Sequence, residues 1–211
     1  FMNLRYYYYW FKSAISPRIC DDIVKYGLQQ QDKMAITGGF GRDRNLTTNP
    51  LNKKEIKNLK KKRDSNIVWM AERWIYKEIQ PYIHEANKRA GWKFNWDWSE
   101  SCQFTKYKAG QYYGWHCDSW DGVYDREGPT KGKIRKLSVT VSLSDEKDYE
   151  GGELEFQFRN RDNPKVGTVC KDILPKGSII VFPSFVWHRV RRVKKGVRYS
   201  LVAWNLGYPF K

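Results

Sequence analysis

The chain has 211 residues and a formal net charge of +16, from 39 Lys and Arg against 23 Asp and Glu. That length suits one domain with a sizeable core, to which 10 Trp, 14 Tyr and 10 Phe contribute. No apolar run approaches the ~20 residues a bilayer-spanning helix needs, so no membrane partner is expected, and the positive excess fits a polyanionic partner, an acidic peptide substrate or a solvated basic surface. The four cysteines (Cys20, Cys102, Cys117, Cys170) show neither CxxC pairing nor zinc-finger spacing. With no signal peptide apparent, they are expected to be reduced thiols of a cytoplasmic protein. Phe1 ahead of Met2 reads as a remnant of cloning.

In chain order, Tyr6 to Lys12 reads as an aromatic strand. Ser16-Pro17 is a helix start, and Ile19, Cys20, Ile23, Val24 and Leu28 follow at helical spacing. Gln31 to Asn52, with Gly38, Gly39, Gly41, Asn45, Asn49 and Pro50, reads as a long loop. Lys53 to Arg63 is a basic, helix-compatible run expected to face solvent. Asn66 to Asn87 carries one apolar stripe (Ile67, Met70, Ala71, Trp74, Ile75, Ile79, Tyr82, Ile83, Ala86) and predicts a helix that Pro81 kinks or splits.

After Gly91 the period becomes that of strands. Cys102–Tyr107, Leu137–Leu143, Glu153–Phe158, Ser178–Phe182, Trp187–Val193 and Tyr199–Asn205 are short, rich in β-branched and aromatic residues, and separated by turn residues. Helices followed by many short strands predict an α+β, mainly β chain: a double-stranded β-helix, or jelly roll, buttressed by N-terminal helices. No repeat or low-complexity linker divides it. One domain over 1–211 is expected, with 1–100 as helical support and 101–211 as the jelly-roll core.

Two of the three histidines carry the chemistry. His116 and Asp118 are spaced i, i+2, so on an extended segment they point to one side. His188 would complete a two-histidine, one-carboxylate face of the kind that binds Fe(II) and leaves positions open. His84, in the helical stripe, has no partner at ligand spacing and reads as structural.

Three features together resemble the 2-oxoglutarate and Fe(II)-dependent dioxygenases, in the branch of the prolyl hydroxylases and the PKHD-type hydroxylases. They are Tyr107-Lys-Ala-Gly110-Gln-Tyr-Tyr113-Gly-Trp-His116-Cys-Asp118, the distal Phe182-Pro-Ser-Phe-Val-Trp-His188, and Arg198 ten residues beyond it. The likeness covers Cys102 to Tyr208 well and Asn66–Asn87 more loosely. It implies Fe(II), 2-oxoglutarate and O2 as reactants, with ascorbate as a reductant. It further implies hydroxylation of a C–H bond, above all on a prolyl residue of a peptide or protein, while 2-oxoglutarate is decarboxylated to succinate and CO2.

The resemblance also assigns roles. His116, Asp118 and His188 would hold the metal. Arg198, returning as an antiparallel neighbour after a Lys194-Lys195-Gly196 hairpin turn, would pair bidentately with the far carboxylate of 2-oxoglutarate. Tyr107, Ser142 and Ser200 fall where relatives contact the co-substrate. Tyr113, Arg135 and Trp204 fall on the substrate side, although Tyr113 also reads as a packed aromatic, Arg135 as a surface charge and Trp204 as core. The loops Gln31–Asn52 and Ser119–Lys133 are expected to shape the entrance. The Gly151-Gly152-Glu153-Leu154 step also matches the family, with a structural role.

Two alternatives share the chemistry. The charge favours nucleic acid and hence an AlkB-type demethylase. That family adds a second arginine six residues after the co-substrate arginine, however, and Trp204 stands there. A small-molecule hydroxylase fits the same motifs.

Overall fold

The computed structural model describes residues 6–36, 50–119, 122–158 and 167–210. Parts of both expected entrance loops, residues 37–49 and 120–121, lie outside them. A short strand β1 (Tyr9–Phe11) leads into helix α1 (Pro17–Gln29), where the Ser16 hydroxyl accepts from the Ile19 N–H and proline occupies the first turn. After β2 (Lys33–Met34), helix α2 (Lys53–Lys62) starts with a capping box between Asn52 and Glu55. Strands β3 (Arg63–Asp64) and β4 (Asn66–Met70) precede helix α3 (Arg73–Arg89). The remaining strands are β5 (Trp98–Ser99), β6 (Cys102–Lys108), β7 (Tyr112–His116), β8 (Ile134–Ser142), β9 (Tyr149–Gly151) and β10 (Leu154–Gln157). They are followed by β11 (Thr168–Val169), β12 (Ile179–Pro183), β13 (Trp187–Val190) and β14 (Val193–Gly207).

Two sheets face each other. The major sheet runs β1-β12-β8-β14-β6-β4-β2 and the minor sheet β11-β10-β13-β7-β3, with antiparallel pairing throughout. Strict alternation on the major sheet sorts its side chains into two cores. Phe104, Leu137, Val139, Val141, Leu201 and Ala203 point outward and pack with Ile23 of α1 and Ile75, Ile79 and Ile83 of α3. Tyr107, Ile180 and Phe182 point inward and meet Leu154, Phe156 and Val190 of the minor sheet. The helices thus cover one face, and a cavity opens on the other.

Three sequence expectations are corrected. The first part of the Asn66–Asn87 stripe is β4, because Ile67-Val68-Trp69 pairs with β6, and the helix begins only at Arg73. Pro81 lies inside an unbroken α3. Arg198 does not follow a hairpin: β13 pairs with β7 and β10, whereas β14 pairs with β6 and β8, so the chain crosses from the minor to the major sheet after Val190. Gly196 lies within β14 rather than at a tip.

Gly27 lets α1 lie flush on the outer face: an added Cβ would stand 2.6 Å from a Phe104 ring carbon and 2.8 Å from Met70 Cε. Alanine in a helix gains about 1 kcal/mol over glycine, but overpacking a buried aromatic costs about 1–3 kcal/mol. Gly27→Ala should therefore lower the calorimetric melting temperature. A higher melting temperature would show that α1 stands further from the sheet.

Candidate metal centre

The two sheets bring the three candidate ligands together. On adjacent strands of the minor sheet, His116 and His188 are direct cross-strand partners, with ring centroids 4.1 Å apart. Asp118 follows β7, and its backbone N–H donates to the Ser184 carbonyl at 2.8 Å. Its carboxylate oxygens lie 3.7 Å from His116 Nε2 and 3.7 Å from His188 Nε2. The ligand atoms of His116, Asp118 and His188 fall within 4.8 Å of one another, which suits one ion.

Neighbouring groups set the chemical state of each ligand. His116 Nδ1 is 2.8 Å from the Gly114 carbonyl and His188 Nδ1 is 3.0 Å from the Val186 carbonyl. Each Nδ1 must carry the proton to donate there, which leaves the Nε2 lone pair for a metal. Burial, and then the nearby His188, push the His116 pKa well below its usual value, against the opposing pull of Asp118. The imidazole is therefore neutral at pH 7. Burial pushes the Asp118 carboxyl up, but His188 and His116 in their protonated, low-pH form, together with Arg135 and the Ser138 hydroxyl, outweigh it, and the group is held down to about 2. Ser138 Oγ donates to Asp118 Oδ2 at 2.7 Å and lies 2.9 Å from Ser184 Oγ, so the anion is also oriented. Two imidazoles that each present Nε2, with one carboxylate, fit Fe(II).

The pocket beside this centre, partly open to solvent, takes its floor from β14. Arg198, Ser200, Val202 and Trp204 alternate along the strand and all line it. Arg198 is 2% exposed, and its Nη1 donates to Ser200 Oγ at 3.4 Å. Tyr107 is its register partner on β6, with the ring centroid 5.7 Å from the guanidinium carbon. Gly152 makes room for this arginine, since a Cβ there would stand 3.0 Å from Arg198 Cδ. Ser142 is the register partner of Ser200, but its hydroxyl donates to the Ser144 carbonyl, and Thr140 rather than Ser142 lines the pocket.

On the opposite side, Tyr113 stacks on His116 at 3.5 Å between centroids. Burial pushes its hydroxyl up to about 12. Arg135 is ion-paired with Glu100 and lies 3.9 Å above the Trp204 ring. It clamps the indole and does not itself line the pocket. Trp69, 52% exposed, stands 6.0 Å from Trp204 at the mouth. His84 stacks on Trp96 in the helical layer, away from the site.

Sequence reasoning missed Arg63, Gln103 and Thr140 as pocket residues. Gln103 was reachable, because it shares the face of Tyr107 at alternate positions of β6. Arg63 was expected in solvent and is instead 4% exposed. It ends a run of exposed lysines whose pattern carries no sign of the turn into β3.

Comparison with known proteins agrees with this geometry. Residues 102–205 match the family model of the 2OG-Fe(II) oxygenase superfamily. A PKHD-type hydroxylase of Synechococcus sp. (strain CC9902) is 38% identical over 109 residues, which cover 51% of this chain and 42% of that protein. The alignment thus spans under half the length of that relative. Among solved structures, the viral collagen prolyl hydroxylase of Paramecium Bursaria Chlorella virus-1, in a 2OG complex, superposes with a TM-score of 0.63 at 21% identity, covering 96% of this chain and 97% of that one. A Trichoplax adhaerens prolyl hydroxylase, in complex with a hypoxia inducible factor oxygen degradation domain peptide, superposes with a TM-score of 0.59 at 16% identity, covering 94% and 83%. The fold is that of the prolyl hydroxylases, and over Cys102–Asn205 the chain belongs to the 2OG-Fe(II) oxygenase superfamily.

Proposed function

We propose that the protein is a 2-oxoglutarate-dependent dioxygenase that hydroxylates a prolyl residue of a peptide or protein. The observation that carries the reading is the convergence of His116, Asp118 and His188 beside a pocket with Arg198 buried in its floor. The balance is that of the superfamily: 2-oxoglutarate, O2 and R–H give succinate, CO2 and R–OH. The PKHD-type sequence match and the peptide-bound prolyl-hydroxylase neighbour support a peptide substrate.

Each residue has a distinct task. His116 and His188 offer Nε2, and Asp118 offers an anion held in place by Ser138. Bound Fe(II) would supply the activation of O2 and the oxidation of the C–H bond. Arg198 presents a two-pronged donor to the far carboxylate of 2-oxoglutarate, with Tyr107 and Ser200 beside it. Ser142 supports Ser200 from the adjacent strand. Leu154 and Val190 keep the inner wall dry. On the substrate side, Tyr113 is fixed against His116, and Arg135 holds Trp204 at the mouth. The chain acts as one unit, with the N-terminal helices bracing the major sheet. We place it in the cytoplasm, where its thiols stay reduced and ascorbate can keep the iron reduced.

Metal binding is the first test. Calorimetry with Mn(II) should show one site, abolished in His116→Ala and in Asp118→Ala. Ser138→Ala, which frees the carboxylate, should weaken it about 10–100-fold. Unchanged affinity in both ligand variants would sink the assignment.

The substrate is tested by mass spectrometry of proline-containing peptides and, in parallel, methylated oligonucleotides, each with Fe(II) and 2-oxoglutarate. One added oxygen on proline is the expected product. Demethylated oligonucleotide with no oxidised peptide would favour nucleic-acid repair, which the net charge of +16 would serve.

A further inference from the structure

Three buried side-chain polar atoms among the described residues lack a hydrogen-bond partner, and two of them, Arg63 Nη2 and Trp204 Nε1, belong to residues that line this one pocket. A buried donor without an acceptor costs about 1–3 kcal/mol, and more when charged. Such a group is tolerated where a ligand brings the acceptor.

Arg63 is the more telling of the two. Its Nε donates to Ser65 Oγ at 2.8 Å and its Nη1 to Gln103 Oε1 at 3.4 Å. Both partners are neutral, so the charge of a guanidinium only 4% exposed meets no carboxylate. The adjacent Asp64 is engaged by Lys60 and Gln111. Arg63 also lies 4.4 Å over the Tyr113 ring, whose stacking on His116 puts the tyrosine between the arginine and the metal ligands. A group held by Arg63 would therefore sit one tyrosine ring away from His116.

Charge balance narrows the ligand. Asp118 is the only carboxylate among the described residues lining the pocket. A divalent metal, Asp118, Arg198 and the two carboxylates of 2-oxoglutarate cancel. Arg63 leaves one positive charge over, and an unpaired cation at this depth is stabilised by an anion with room for charge-assisted hydrogen bonds.

We propose that Arg63 is the anchor for a carboxylate of the substrate, an acidic side chain close to the hydroxylated residue, with Trp204 Nε1 donating to a carbonyl of the same chain. This deepens the hydroxylase reading and rests on it for the identity of the pocket. It makes the enzyme selective for acidic peptides through one buried contact rather than through overall charge.

The test is calorimetry on the full chain loaded with Mn(II) and N-oxalylglycine, a non-reacting analogue of the co-acid. Two short proline peptides are titrated, identical except for Glu or Gln on both sides of the proline. The wild type should bind the Glu peptide about tenfold more tightly. R63Q should lose the difference, and R63K, which keeps charge without the fork, should retain part of it. Titrating at high salt screens the long-range attraction in all three proteins, so a preference that remains reports the direct contact of Arg63. Equal affinities in the wild type, no binding of either peptide, or a preference that survives in R63Q would each overturn the inference. Mass spectrometry of the same peptides with Fe(II) and 2-oxoglutarate separates the two claims. An Arg63-dependent preference without oxidation leaves the anchor standing and removes prolyl hydroxylation, while oxidation with no acidic preference does the reverse.

Discussion

The pairing of His116 with His188 is the contact on which the site depends. It joins residues far apart in sequence by placing them opposite each other on β7 and β13. A slip of one residue would turn one imidazole to the other face of the sheet. Beyond a register shift, the same two strands put Tyr113 opposite Val190, and β3 pairs Arg63 with Tyr113 at the sheet edge. Asp118 then needs only the short extension past β7, where the Ser184 carbonyl and the Ser138 hydroxyl capture it. The candidate metal ligands thus come from the minor sheet, and their alignment is enforced by the major one.

The inner face of the major sheet is a graded surface. Arg198 and Tyr107 lie at one end, Ser200, Thr140 and Gln103 in the middle, and Trp204, with the exposed Trp69 beside it, at the other. Alternation along β6 and β14 generates the gradient directly, since inward positions are every second residue. The outward positions of the same strands are apolar and bind the helices. A polar floor over a helix-packed outer core separates the stability of the sheet from the chemistry on its other side. It also explains how a buried arginine and several hydroxyls coexist with a continuous hydrophobic layer.

Much of this was legible in the chain, and for physical reasons. The His116–Asp118 spacing, the aromatic turn around His188 and the alternation of Arg198, Ser200 and Trp204 are local patterns, and local patterns survive folding. Ser16-Pro17 marked its helix correctly because capping is a contact within three residues. The errors fell where tertiary pairing decides. Ile67 to Met70 satisfies helical spacing, but an open edge of β6 beside it makes it a strand. The Lys194-Lys195-Gly196 turn looked like a hairpin because sequence does not say which sheet the next strand joins. Arg63 was invisible, because nothing in a lysine-rich helix announces that the residue after its last turn faces inward.

One measurement addresses the centre of the proposal: a crystal structure of the protein grown anaerobically with Mn(II) and 2-oxoglutarate. The metal is expected on His116 Nε2, His188 Nε2 and the Asp118 carboxylate, with the far carboxylate of the co-acid forked by Arg198 and Arg63 left free. A metal held through Nδ1 or at another cluster, or a far carboxylate resting on Arg63 instead of Arg198, would contradict it.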